Sequence, residues 1–126
     1  MFVRNGLGDL SVKLVLDRAD MTAAEKRVKR APTAENYLNL CQLYDRDWRY
    51  PDSIDACQKA LKLRPDYAEA YDGLAAAYSN LEMWDEAIQA AHQALQLSPD
   101  LPLAREILAR SLDQKRLKDS ATTSTE

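Results

Sequence analysis

The sequence predicts an all-α fold, an α–α superhelix built from stacked antiparallel helix pairs. Two observations carry that prediction. Ala34 to Tyr67 aligns without a gap on Ala68 to Leu101, and twelve of the 34 positions are identical, from Ala34/Ala68 to Asp66/Asp100. A fixed period in this range marks units that bury their apolar faces only by stacking on one another. Within each unit the apolar residues recur at helical spacing, Tyr37, Leu40, Cys41 and Tyr44 in the first and Tyr71, Leu74, Ala75 and Tyr78 in the second. With 3 glycines the chain also lacks the turn residues of an all-β fold.

The elements follow in order. Residues 1–20 are expected to form an irregular arm or a short strand: Asn5-Gly6 is a turn signal, and Leu10, Val12 and Leu14 alternate with polar residues. Val12, Leu14 and Leu16 would also suit an arm that folds back into its own groove. The repeat domain spans residues 21–117. Its first helix, 21–31, starts at the capping-box pattern Thr22-Ala23-Ala24-Glu25, buries Met21, Ala24, Val28 and Ala31, and stops at Pro32. Thr33 then caps a helix over 34–46. Pro51 opens the partner helix, which runs to about Leu63 with Ile54, Cys57, Ala60 and Leu61 inward. Pro65 ends that helix, and Asp66 with Glu69 is the expected cap of the next. The second unit repeats the plan, with Ala87, Ile88, Ala91, Ala94 and Leu95 on its second helix. A capping helix over 101–117 follows, with Ala104, Leu108, Ala109 and Leu112 inward. The Ser/Thr-rich 118–126 is expected to be a disordered tail.

These residues resemble the tetratricopeptide repeat. The family pattern of an aromatic, Leu with a small residue, Tyr, three further small or aromatic positions and Pro is met by Tyr71, Leu74, Ala75, Tyr78, Ala87, Ala91, Ala94 and Pro99. The first unit meets it with Tyr37, Leu40, Cys41, Tyr44, Ser53, Cys57, Ala60 and Pro65. The glycine that often turns the chain between the two helices is replaced by Arg49 or Met83. The array has two whole repeats where about three are usually needed, so the flanking helices must supply the difference.

The resemblance implies a non-enzymatic scaffold or adaptor that holds a peptide segment of a protein partner in a groove lined by the first helix of each pair. The residues it places there are Glu35, Leu38, Asn39, Gln42, Asp45 and Arg46, then Glu69, Asp72, Gly73, Ala76, Ser79 and Asn80, then Leu103, Glu106, Ile107, Arg110, Asp113 and Gln114. Six carboxylates against two guanidiniums give this face a charge of −4. It would steer a basic peptide, and its apolar members would hold apolar side chains. Some family members clamp the C-terminal carboxylate of chaperone tails with cationic side chains. The matching sites here are Leu38, Gln42, Gly73, Leu103 and Ile107, without a cation, so that mode is excluded. Two further readings are a homodimer formed through the uncovered last helix and an assembly appendage of a larger bacterial, membrane-attached protein.

Other chemistries are poorly supported. There is one histidine, His92, no phosphate-binding glycine loop, and no nucleophile with a base at useful spacing, so neither an enzyme nor a cofactor is expected. Net charge is −3, which disfavours a nucleic-acid surface. Lys26, Arg27, Lys29 and Arg30 make only a small basic patch at a helix end, where cations are favoured anyway. Cys41 and Cys57 face one another within a repeat and are expected to pack as small apolar residues, with a disulfide as the alternative. No apolar run approaches the ~20 residues of a membrane span, and the location expected by default is the cytoplasm, or a periplasmic or membrane-attached position if the chain is a fragment.

Overall fold

The computed structural model describes residues 6–124, with side chains described for residues 18–121. Six helices follow one another: α1 Gly6–Arg30, α2 Ala34–Arg46, α3 Tyr50–Leu63, α4 Ala68–Asn80, α5 Trp84–Leu97 and α6 Pro102–Ser124. The described residues contain no strand. Helices α2/α3 and α4/α5 are the two antiparallel pairs. Helix α4 packs on α3 and touches α2, and α6 packs on α5 and touches α4 in the same way. The first helices α2, α4 and α6 therefore lie side by side, while α1 covers the opening face of α2.

Two expectations at the ends are corrected. Leu10, Val12 and Leu14 belong to helix α1, not to a strand. The short alternation sits inside a longer heptad, Leu7, Leu10, Leu14, Met21, Ala24 and Val28, broken only at Asp17. A lone strand would leave its backbone groups unpaired, whereas a helix satisfies them internally. Thr22 is accordingly mid-helix and caps nothing. At the other end, Asp119 to Ser124 continue α6 rather than forming a tail. Residues 1–5, 125 and 126 lie outside the described part, as do the side chains of Val12, Leu14 and Leu16.

Local chemistry explains most boundaries. Thr33 caps α2 as expected, accepting from the Asn36 N–H at 3.1 Å. Pro51 lies in the first turn of α3. Asp66 does not cap α4: Tyr67 is the cap residue and makes no side-chain cap bond, while Asp66 lies 3.7 Å from Arg64 instead. Both helix pairs turn through the same Schellman-type closure. The Arg49 N–H reaches the Tyr44 carbonyl at 2.9 Å and the Met83 N–H reaches Tyr78 at 2.9 Å. The left-handed residue is one earlier than the sequence suggested: Trp48 at φ 61° and Glu82 at φ 58°. Each non-glycine residue held there costs about 1 kcal/mol, and it persists because the closure recurs at the same point of both repeats.

The core is made of small residues packed closely. Cys41, Cys57, Ala60, Ala70, Ala75, Ala87, Ala91 and Ala94 are completely buried. Cys41 and Cys57 form a disulfide between α2 and α3, with Cα atoms 5.3 Å apart. This replaces the expected packing of two thiols. Ser53 sits beside it, fully buried, donating to the Cys41 carbonyl at 3.0 Å.

The bridge explains Gly73. A Cβ at residue 73 would lie 2.8 Å from Cys57 Sγ and 3.2 Å from Cys41 Sγ, so α4 can seat on the first pair only without a side chain there. One repeat later the volumes are exchanged. Ala75 and Ala91 replace the cysteines, and the residue 34 positions after Gly73 is Ile107, buried to 1% exposure. Bulk removed from within one pair is restored by the helix stacked on it.

A glycine inside a helix is ordinarily improved by alanine, by about 1 kcal/mol. Gly73→Ala is expected to go the other way and destabilise by about 1–3 kcal/mol, because sulfurs tethered at both ends cannot yield. In a Cys41→Ala, Cys57→Ala background the same substitution is expected to cost much less. Thermal unfolding of the four proteins measures that coupling, and additive effects would contradict the interlock.

Candidate functional site

The inner face of α2, α4 and α6 is where the sequence placed a groove. The three helices that carry those residues are neighbours, α4 touching both α2 and α6. Gln42, Glu69, Asn80 and Glu106 are exposed. Ala76 is half-buried, and Leu103 is 45% exposed.

Several candidates are engaged elsewhere. Glu35 accepts from Arg64 at 3.4 Å, tying α2 to the joint before α4. Asn39 accepts from Arg27 at 3.3 Å, which docks α1 against the edge of this face. Arg110 donates to Ser79 Oγ at 2.8 Å, linking α6 to α4. Arg46 lies 3.2 Å from Asp47 and 3.8 Å from Asp20. Arg46 is thus paired with carboxylates, whereas Arg110 is bonded to a neutral hydroxyl and keeps its charge on the face.

Two candidates are corrected. Leu38 is 7% exposed and Ile107 is 1% exposed, so both belong to the core rather than to a lining surface. Ile107 stands one repeat after Gly73, where the alanines of the second pair leave room for a side chain. Conversely, Ala109 and Leu112, expected inward on the last helix, are exposed because among the described residues no partner helix covers that side of α6.

The sharpest electrostatic feature is a pair of carboxylates, Asp45 on α2 and Asp72 on α4. Each has one oxygen, Oδ1, buried without a hydrogen-bond partner. Burial raises the pKa of both above the ordinary 3.8, and for Asp72 the nearby Glu69 charge adds to the rise. Both residues are half-buried, and the unpartnered oxygen of each is closed off from solvent. Among the described residues no group of His, Cys, Asp and Glu is arranged to hold a metal. His92 is exposed on α5.

Sequence reasoning missed the exposed Trp48, at 80%, which stands on the left-handed turn between α2 and α3. It also missed the cationic residues of α3. Comparing the two units position by position would have found them: Lys59 and Lys62 stand where the second unit has Gln93 and Gln96.

The carboxylate burial has a pH signature. An acid whose native pKa is raised binds its proton more readily folded than unfolded, so it costs stability when charged. That cost is relieved as pH falls through the raised native pKa towards 3.8. Asp72→Asn is expected to raise the melting temperature at neutral pH, and its advantage over wild type should shrink towards pH 4. Paired melting curves across that range measure it; a lower melting temperature for the variant at neutral pH would show that the charge is stabilised by a contact in the native state.

The comparisons agree with this architecture. A family model described as "Tetratricopeptide repeat" matches residues 68–101. No curated protein matches the sequence. Among solved structures, the first TPR of Spaghetti (RPAP3) bound to the HSP90 peptide SRMEEVD is similar at a TM-score of 0.78 and 21% identity, covering 86% of this chain and 87% of that one. An Arabidopsis OM64 TPR domain is similar at 0.73 and 20% identity, covering 82% and 87%. MamA is similar at 0.75 and 26% identity, covering 93% of this chain and 69% of that one. Residues 68–101 are thus a tetratricopeptide repeat by the family model, and the 34-residue period and the stacked pairs give the chain the fold of tetratricopeptide-repeat domains, with a further helix after the second pair.

Proposed function

We propose that this chain is a non-enzymatic scaffold that binds a basic, partly apolar peptide segment of a protein partner along the inner face of α2, α4 and α6. The observation that carries the reading is the pair of half-buried carboxylates, Asp45 and Asp72, each with an oxygen that has no partner. An ammonium or guanidinium from a peptide would pair with the charge of these half-buried carboxylates, and charge-assisted contacts of this kind are the strong ones. Glu69 and Glu106 extend the negative field, and Leu103 with Ala76 supplies apolar contact.

The same electrostatics argue against the ligand class seen with some structural relatives. The peptide bound to the RPAP3 domain reads SRMEEVD and that bound to its second domain SGPTIEEVD. Both end in acidic residues. An acidic tail laid on this face would meet Asp72, Glu69 and Glu106, three carboxylates against the one guanidinium of Arg110. Like charges brought together on binding oppose it.

A second reading is favoured by one observation: α6 lacks a covering helix and exposes Leu112 at 49% and Leu117 at 60%. A second copy could cover that side. Ile107, being core, is not the residue with which to probe it; Leu112 is. The Cys41–Cys57 bridge bears on location. Such bonds persist in oxidising compartments and are reduced in the cytoplasm, so the closed bridge weighs against the cytoplasmic expectation.

Titration calorimetry with the peptide acetyl-Lys-Leu-Lys-Arg-Leu-Lys-amide tests the first reading. Wild type is expected to bind saturably, and Asp72→Arg, with unchanged helicity, to bind at least tenfold more weakly, since removing a desolvated charge partner costs about 2–5 kcal/mol. Equal binding by both proteins would remove the groove as the site. A wild-type mass in sedimentation that is twice that of the chain, and that halves on Leu112→Glu, would favour the second reading.

A further inference from the structure

The two repeats carry the same recess and furnish it differently. In the second repeat a recess of about 300 Å³ opens between α4 and α5, lined by Leu74, the half-buried Tyr71 and Tyr78, the exposed Glu86 and two glutamines. Every residue that lines it has a counterpart, 34 positions earlier, lining a recess of about 210 Å³ between α2 and α3. Neither Asp72 nor Ala76 lines the second recess, and much of its wall is α5, so it is separate from the inner face.

In the first repeat the chain supplies its own cations. The Arg49 guanidinium lies 4.6 Å from the centre of the Tyr44 ring and 2.9 Å from the Asp52 carboxylate. Lys59 lies 6.0 Å from the Tyr37 ring and 2.9 Å from Asp55. The negative face of an aromatic ring attracts a cation, and a carboxylate beside it strengthens the hold. Glu25, Asp52 and Asp55 thus stand against Lys29 and Lys59 in that wall, with Arg49 on Asp52. One repeat later both tyrosines remain and Asp52 recurs as Glu86, but Arg49 becomes Met83, Lys59 becomes Gln93 and Asp55 becomes Gln89. The backbone at the two turns is the same, residue 49 bonding Tyr44 and residue 83 bonding Tyr78 at 2.9 Å. The missing cation is therefore a change of side chain and not of fold. Glu86 is the one charged residue lining the second recess, and it makes no ion pair among the described residues. The contact from α3 is neutral as well: Gln58 donates to the Tyr78 hydroxyl at 3.4 Å, where Glu25 accepts from Tyr44.

We propose that the recess of the second repeat takes an arginine side chain from a protein partner, its guanidinium on Tyr78 and Glu86 as Arg49 is held on Tyr44 and Asp52. A guanidinium is planar, stacks on aromatic faces and forks onto a carboxylate, whereas an ammonium is a compact, strongly hydrated charge. The methylenes of the arginine would lie along Leu74. Gln89 and Gln93 offer amide donors and acceptors to the backbone on either side of it, which favours a peptide over a small cation.

The test titrates acetyl-Ser-Gly-Arg-Gly-Ser-amide into the 15N-labelled whole chain and follows amide shifts. Saturable shifts are expected around Tyr78 on α4 and Glu86 on α5. Glu86→Gln, at an exposed position, should weaken binding about tenfold, the value of a charge-assisted contact. Met83→Arg restores the first repeat's cation, so it should fill the recess, abolish binding and leave the melting temperature at or above that of wild type. The same peptide with Lys for Arg, and free arginine, should each bind roughly threefold or more weakly. Asp72→Arg should leave these shifts unchanged, which separates this site from the inner-face reading. The proposal is overturned if no saturable shift appears around Glu86, if Glu86→Gln or Met83→Arg binds as wild type does, or if free arginine binds as well as the peptide. It is also overturned if the wild-type chain is a dimer that Glu86→Gln dissociates, since the occupant is then a second copy.

Discussion

Everything in this molecule depends on how closely two neighbouring helix pairs can approach. Where α4 meets the first pair, a disulfide fills the space between α2 and α3, and Gly73 gives up its side chain to it. Where α6 occupies the same place on the second pair, alanines stand inside the pair and Ile107 fills the room above. Close-packed interiors tolerate little error in volume, so this exchange sets how far α2, α4 and α6 lie from one another. The spacing of those three helices is the geometry of the inner face. The bridge also constrains the unfolded chain by closing a loop with a sequence separation of 16, an effect of about 3 kcal/mol for loops of that size. That matters in an array this short, where each repeat has few neighbours.

The helices at the two ends solve the same shortage differently. Helix α1 offers one apolar stripe, Met21, Ala24 and Val28, to the first pair, and ties its polar side down through Arg27 to Asn39 and Glu25 to Tyr44. Helix α6 is braced by Arg110 to Ser79, by Arg105 to the Pro99 carbonyl at 2.7 Å, and by Lys115 to Asp85. Surface ion pairs contribute little each, and their value here lies in fixing the rotation of α6. That rotation turns Ile107 into the core and leaves Leu112 outside.

Most of the architecture was legible in the sequence because a repeat states its own boundaries twice. The period located both pairs, Thr33 and Pro51 marked helix starts, and the Tyr, Leu and small-residue positions fell in or against the core. What was misread at the N-terminal end had no second copy to check it. Leu10, Val12 and Leu14 lie outside the repeats, and three alternating residues outweighed a heptad that extends to Val28. Asp66 looked like a cap because it precedes Glu69 by three, but the chain enters α4 one residue later. Leu38 and Ile107 were placed on the groove by family geometry, which fixes the helix but not the few degrees of rotation that decide burial. The disulfide stayed open because a small-residue position and a half-cystine position have the same pattern.

The central claim is that stacking presents a negative inner face with two carboxylates held ready for a cation. Amide chemical-shift mapping of the 15N-labelled protein with a Lys- and Leu-containing hexapeptide tests it most directly. The account predicts that the largest shifts cluster on α2, α4 and α6, around Asp45, Asp72 and Ala76, and leave α3 and α5 quiet. Shifts concentrated on α3 and α5, or spread evenly over the surface, would contradict it.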